Sequence, residues 1–376
     1  MKETNNSPVV AKKNNRSPRG LFGMQASLSR RRQILRTAIL IFFIIYAIFT
    51  ITPFYFLFVR TFIPTKDATE LHLWPPHVDE ISLDSGIGNL SIYYNLDLMK
   101  LKEDWGIPKT EYLNPKWKLS YIAEKYDIPP ETIKDYLAPY ARYNGWMVLF
   151  GNEDFWPSVL RTVLVTGLGI IGINLLGLLT GAGLAGLRYG YQRFVYAVYL
   201  FEIIIPPFLI LLPQFYLVNM IQSFIPGADQ AGDVRNISQL AVIIALYIKG
   251  GALSTMIFTS AIGAIPRELE ESAEIDGASR WQYIWHILIP LMKVPIASLT
   301  VIMLPLFWND FLQPFVYLDP KNSTLLPLIQ SFTGQYTTNF QVVFTGVFVS
   351  ILPLVLLYIM FRKWFIAGVM EGAIKG

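Results

Sequence analysis

The sequence predicts an all-α polytopic membrane protein: six transmembrane helices with a small, mainly helical extracytoplasmic insertion between the first and second. Three observations carry that reading. Of 376 residues, 53% are hydrophobic and only 15% charged, a balance outside the range of ordinary soluble domains. Several apolar runs exceed the roughly 20 residues that a spanning helix needs. Arginines and lysines gather at alternate ends of those runs, the bias that fixes orientation in a bilayer.

Residues 1–33 are dominated by Asn, Ser, Pro, Lys and Arg. They hold too little apolar surface to fold alone, and read as a disordered basic cytoplasmic tail. Arg30-Arg31-Arg32 and Arg36 abut the first span, residues 34–60, whose stretch Thr37–Val59 is 23 residues without a charge. It is too long for a targeting peptide and lacks a small-residue cleavage site. Residues 61–157 form the insertion. Nine Lys/Arg against fifteen Asp/Glu give it a net charge of −6, in keeping with an extracytoplasmic side. Within it, Leu119–Leu137 reads as helix, turn, helix, with Pro129 and Pro130 opening the second. The acidic balance argues against nucleic acid as a partner.

The permease-like core spans 158–365. A glycine-rich second span, Thr162–Leu187, offers small residues that let helices pack closely in lipid. A third, Phe194 to Met220, carries Glu202, Pro206, Pro207 and Pro213, and its prolines predict kinks where neighbours or cavity water satisfy the freed carbonyls. A fourth, Ile237–Ile262, holds Lys249 in its middle. Intramembrane charges usually face the bundle interior. Lys249 therefore either reaches Glu202 or snorkels to the interface. The fifth span, Val294–Leu318, contains Phe307-Trp308-Asn309-Asp310-Phe311-Leu312-Gln313-Pro314. Trp308, Asn309, Asp310 and Gln313 set polar groups beside aromatic faces, a combination suited to a hydroxylated ring and also to a helix end at the interface. An outer loop, Asp319–Gln341, leads to the last span, Val342–Phe361. Arg362-Lys363 returns the tail, 366–376, to the cytoplasm, so both termini are inside.

Between spans four and five lies a polar loop, 265–292. Four carboxylates fall between Glu270 and Asp276, followed by Gly277 and an aromatic run ending on Pro290. Acidic residues in a first turn suit the positive end of a helix dipole. Asp276-Gly277 breaks that helix, and Ala278-Ser279 opens a second, Arg280–Ile289, closed by Pro290. Such a segment cannot lie in lipid; it faces water or another protein. Ser272, Ala273, Gly277 and Ala278 leave room for another backbone.

Read as spacing, Glu271-Ser272-Ala273, three residues, Gly277, nine residues, Ile287, one residue, Ile289-Pro290 resembles the EAA coupling loop of binding-protein-dependent ABC importer permeases. Ser272 stands where alanine is usual and Ile289 where leucine is usual. The Trp308–Pro314 stretch is similar to the WN-x-F-x-x-P signature of sugar-importing permeases. The tail Phe365–Gly376 is similar to the terminal F-x-x-G-x-x-x-G-A-x-K-G of the carbohydrate-uptake, maltose-transporter (MalG-like) type. The resemblance covers about 155–376 plus the first span, and the insertion lies outside it.

The resemblance implies a multi-pass cell-membrane subunit that moves a sugar or oligosaccharide delivered by an extracytoplasmic solute-binding protein. Its implied partners are a second permease, usually non-identical, and two copies of an ABC ATPase subunit. Glu271, Ser272, Ala273, Asp276, Gly277, Ala278 and Pro290 would couple to that ATPase, with Gly372, Lys375 and Gly376 of the tail at its interface. Trp308, Asn309, Asp310 and Gln313, with Glu202 and Lys249, would border the path.

No GxxxxGK[ST] phosphate loop occurs. ATP and Mg are therefore expected on the partner, with no cofactor and no catalytic residue in this chain. His72, His77 and His286 are scattered and read as surface or packing residues, so no metal site is expected. Two readings compete: an ion- or proton-coupled secondary transporter using Glu202, Lys249 and Asp310 as a relay, and an ABC permease for a non-sugar solute.

Overall fold

The computed structural model describes residues 30–65, 71–74, 81–94, 96–186, 189–228, 232–249, 251–334 and 339–374. Among them the regular structure is helical, with an isolated antiparallel bridge between Gly86 and Lys118. Three helices are long and apolar enough to cross a membrane, Arg32–Arg60, Phe155–Ala185 and Phe340–Met360. Two bent pairs pass the same test if each counts as one span, giving up to five.

The chain divides into a unit ending at Tyr55 and a second beginning at Phe56. The first unit contributes most of α1, Arg30–Arg60. Leu40, Phe42, Phe49 and Ile51 are all exposed, so the helix is apolar all round, as a helix surrounded by lipid is. The Thr50 and Thr52 hydroxyls donate to the carbonyls of Tyr46 and Ile48 at 2.8 and 2.7 Å. Their polar groups are thereby satisfied within the helix.

In the second unit, α2 (Ile87–Tyr93), α3 (Leu98–Asp104), α4 (Leu119–Lys125) and the first half of α5 (Pro130–Gly151) close around a core of their own. Leu101, Leu119, Ile122, Ile133 and Leu137 are completely buried there, with Ile87 and Tyr94 beside them. Local chemistry sets the element ends. The Asp97 carboxylate accepts from the Met99 and Lys100 amides at 2.8 and 3.3 Å, capping α3. Asp127 adopts φ 52° in the turn between α4 and α5, a conformation that aspartate tolerates better than most residues.

The second half of α5 leaves this core and packs on α17 (Phe340–Ile374). A Cβ on Gly145 would stand 2.7 Å from the Gln341 carbonyl oxygen, so only glycine permits this approach. Gln341, itself buried, donates its amide to the carbonyls of Arg142 at 2.9 Å and of Thr61 and Ala141 at 3.2 Å. One side chain thus ties the end of α1, the insertion helix and the last span. Phe62 stacks on Trp146 at 6.1 Å, and Trp146 meets Phe348 at 6.2 Å around the same joint.

The membrane core is α6 (Phe155–Ala185) packed along α9 (Asp233–Lys249) and α10 (Ala252–Gly263). Gly169 lies against Tyr247, Gly177 against Ser254 and Gly181 against Phe258. That is the close approach small residues allow. Gly167 and Gly183 face open space, so not every glycine of the span serves packing.

Several sequence-based boundaries move. α6 starts at Phe155 rather than beyond 157, because Asn152 accepts from the Asp154 amide at 2.9 Å and turns the chain early. The third span is two helices, α7 (Tyr189–Ile204) and α8 (Pro207–Ser223), separated at Pro206, where the ladder loses a donor. α9 and α10 are bent by 44° around Gly251. The fifth span ends at Trp308 and resumes as a short helix, described below. The predicted outer loop Asp319–Gln341 holds a helix of its own, α16 (Leu325–Ser331), whose Leu325, Leu328 and Ile329 join Leu149, Phe155 and Val342 in a core. Its apolar residues are too few for a periodic signal. α17 does not stop at Phe361 but continues to Ile374, taking Gly372 into the helix; Lys375 and Gly376 lie outside the described residues.

Candidate functional site

The loop between α10 and the fifth span folds into a stiff elbow. α11 (Glu268–Ile275) carries Glu268, Glu270 and Glu271 in its first turn. It ends in a Schellman turn: the Ala278 amide donates to the Ala273 carbonyl at 2.9 Å and the Gly277 amide to Glu274 at 3.0 Å. Gly277 has φ +79°, the left-handed conformation this closure requires. A side chain there costs about 1–2 kcal/mol before any contact is considered.

α12 (Arg280–Tyr283) begins at once with a capping box. Ser279 donates its amide to Gln282 Oε1 at 2.7 Å, and its hydroxyl accepts from the Gln282 amide at 3.3 Å. The helix then widens to a π turn, Ile284–Leu288, and tightens again as α13 (Ile289–Leu291). Pro290 therefore sits inside the helical segment instead of closing it. With no N–H of its own and a ring that crowds the preceding turn, proline is accommodated by the wider π geometry. α14 (Lys293–Trp308) leaves at 67° to the Arg280–Leu291 segment.

The two halves of the elbow differ in burial. Tyr283, Ile284, Leu288 and Met292 pack into a core with Phe258, Leu299 and Met303. Burial, and then the nearby Glu270 carboxylate, push the Tyr283 hydroxyl above its ordinary pKa. On α11, by contrast, Ala273 is the one buried side chain. Glu271, Ser272, Asp276 and Gly277 are exposed, Ala278 is half-buried, and Ile275 is 86% exposed. Trp281 and Trp285 are exposed as well. A rigid, anchored projection that leaves large apolar side chains in water has the properties of a docking element.

The second group of candidate residues does not form one site. Trp308 is buried and its indole N–H donates to the Ser350 carbonyl of α17 at 2.9 Å, so it fastens two spans together. Asp310 accepts from the Tyr247 hydroxyl at 2.8 Å and from the Leu312 amide at 3.0 Å, the latter at the start of α15 (Leu312–Tyr317). Tyr247 in turn stacks on Phe307 at 4.3 Å. Asn309 is exposed, and Gln313 is half-buried with an unpartnered side-chain oxygen. Glu202 is half-buried and Lys249 exposed, with no ion pair between them among the described residues.

Sequence reasoning missed the polar fastening at the opposite end of the core. Arg235 grips Asp319 through Nε at 2.9 Å and Nη2 at 3.3 Å, Asn322 donates to the Asn236 carbonyl at 3.1 Å, and the Tyr317 hydroxyl donates to Gln214 Oε1 at 3.0 Å. These pairs lie 80 or more residues apart in sequence, and no local pattern announces them.

Residues 173–369, more than half of the chain, match the model of the family described as "Binding-protein-dependent transport system inner membrane component". The chain is 30% identical over 224 residues to the melibiose/raffinose/stachyose import permease protein MelC of Bacillus subtilis, covering 58% of this chain and 76% of that one. It is 25% identical to the probable starch degradation products transport system permease protein AmyC of Thermoanaerobacterium thermosulfurigenes, covering 69% and 87%. A solved bacterial ABC transporter involved in the import of the acidic polysaccharide alginate superposes with TM-score 0.54 at 14% identity, over 90% of this chain and 99% of that one, a likeness of fold. The chain belongs to the family of inner-membrane components of binding-protein-dependent transport systems.

Proposed function

We propose that the protein is the membrane-spanning subunit of an ATP-driven importer for a sugar or oligosaccharide. Energy enters at the elbow 265–292, which a separate ATPase subunit grips; ATP and Mg belong to that subunit. The observation that carries this reading is the elbow itself, anchored on one half and exposed on the other, at the loop bearing the family's motif. Closure of the ATPase displaces α11, and the packed second half passes the motion to α14, because close-packed interfaces shift between discrete arrangements. A solute-binding protein delivers the substrate on the outer side, and a second, non-identical permease completes the path.

The sugar assignment rests on the relatives, whose names specify melibiose, raffinose, stachyose and starch degradation products. The broken helices α7–α8, α9–α10 and α14–α15 each complete one span, which gives six with both termini in the cytoplasm. Asn309 and Gln313, whose polar groups are not consumed by packing, are the better candidates to meet the substrate; Trp308 and Asp310 position the helices around them. A relay through Glu202, Lys249 and Asp310 finds no support, since no hydrogen bond or ion pair joins any two of them among the described residues.

The test is uptake by the assembled complex. Gly277→Asp and Glu271→Lys are expected to abolish ATP-dependent sugar uptake while the subunit still inserts and assembles. Uptake at the normal rate in either variant overturns the assignment of the elbow.

A further inference from the structure

α14 and α17 pack against each other, with Trp308 bonded to the Ser350 carbonyl, but do not close on each other everywhere. Between Pro290 and Pro305 they leave a groove of about 740 Å³, open along its side. Its lining is largely apolar, with Ile296, Ala297 and Val301 from α14 and Val355 from α17, and Thr300 among them. Lys293 and Tyr358 stand at one end, the end next to the elbow. Lys293 is exposed and makes no ion pair or hydrogen bond among the described residues.

From these features the geometry points to a binding site for an anionic phospholipid of the inner leaflet, its acyl chain in the groove and its phosphate on Lys293. The inference rests on the orientation given above, which puts the elbow in the cytoplasm. Along α14 the groove runs from Lys293 to Pro305, about 18 Å at 1.5 Å per residue, a little more than the roughly 15 Å that one leaflet contributes to the hydrocarbon thickness. Its polarity is that of a lipid: one cation and one interfacial aromatic at the water end, and hydrocarbon beyond. A groove built for a protein helix has no need of a cation at its end that forms no pair among the described residues. Basic residues on the cytoplasmic side attract anionic headgroups, and tyrosine favours the headgroup level. Because the groove begins at Pro290, a seated lipid would brace the 67° bend through which the elbow reaches α14.

The complex with its partner subunits, reconstituted in nanodiscs of phosphatidylcholine with phosphatidylglycerol, is extracted in mild detergent and its retained lipid counted by native mass spectrometry. Lys293→Gln is expected to lower retained phosphatidylglycerol about fivefold, the effect of one surface cation, and Lys293→Arg to retain it. Ala297→Trp, which fills the groove without touching the lysine, is expected to abolish retention. Equal retention in wild type and Lys293→Gln overturns the proposal, as does equal retention of the two lipids by the wild type. The chain has no cysteine, so Ala297→Cys carries a single label that folds independently of the bulkier variant. Quenching of that label by acyl-chain-borne quenchers supports the site, and its cross-linking to the partner permease overturns it. Binding is read without transport, so failure of the lipid site and failure of the import reading are separable.

Discussion

The elbow and the insertion are built alike and finished differently. Each pairs short helices across a turn that needs a left-handed residue, Gly277 in one and Asp127 in the other. The insertion closes a core of its own, in which Leu101 of α3 and Leu119 and Ile122 of α4 are completely buried. In the elbow Ile275, Trp281 and Trp285 stay in water. A domain that has closed its own core holds its shape by itself. An element that has not is completed by another molecule, and its energetics appear when that molecule binds.

The contrast is broken most sharply by changing the exposed side of the elbow. Ile275→Asp removes an apolar contact and no packing within this chain. Uptake should fall tenfold or more, a hot-spot loss of about 2 kcal/mol, while the melting temperature of the purified subunit is unchanged. If stability falls along with transport, Ile275 is a packing residue and the distinction fails.

In the insertion the order reverses. Leu101→Ala leaves a cavity in a closed core and should cost about 2–5 kcal/mol of local stability, seen as faster hydrogen exchange across α2–α4 with the membrane core unaffected. Gln341→Leu comes next, since it takes the side-chain donor from the Thr61 carbonyl and removes the two further bonds to α5 at Ala141 and Arg142. At about 1–3 kcal/mol for a buried unsatisfied group, it should loosen α5 from α17 and expose the joint to proteolysis. Protection unchanged at both positions would show that the insertion is held by other means.

The smallest effect concerns surface charge. The Lys125 ammonium, hydrogen-bonded to Glu111 at 2.7 Å and lying 4.3 Å over the Trp117 ring, holds the Glu111 carboxyl below its ordinary pKa. The folded state therefore gains stability above the unfolded carboxyl pKa and loses it as pH falls through the lowered value. Lys125, raised by the same bond, contributes below its unfolded pKa and loses that contribution as pH rises through the higher one. Both groups are exposed, so the gain is small. Glu111→Gln should lower exchange protection across residues 111–126 slightly at neutral pH and leave it unchanged in acid, flattening the acid limb. An unaltered acid limb would assign the pair no role.

Local chemistry made much of this legible. The Asp276-Gly277 break, the proline at the start of α5 and the unbroken apolar run of α1 are each written in neighbouring residues. The glycines of α6 announced close packing but not which of them perform it, since Gly169 and Gly183 differ only in what the rest of the fold brings near. Pathway residues were least legible. Trp308 and Asp310 carry the right functional groups, but their bonds to Ser350 and Tyr247 join helices far apart in sequence, and chemistry alone does not say whether a polar group faces a substrate or a neighbour. The π turn before Pro290 was hidden for a different reason. A proline reads locally as a stop, and only the tertiary anchoring of Ile284 and Leu288 carries the helix through it.

α5 belongs to two cores at once: Ile133 and Leu137 sit in one, Leu149 in the other, three turns further on. A helix turns about 100° per residue, so adding or deleting a single amino acid between Ala141 and Leu149 would rotate one core against the other by about a quarter-circle. Descendants of this protein can vary the domain's surface freely, but the length of that shared rod is fixed.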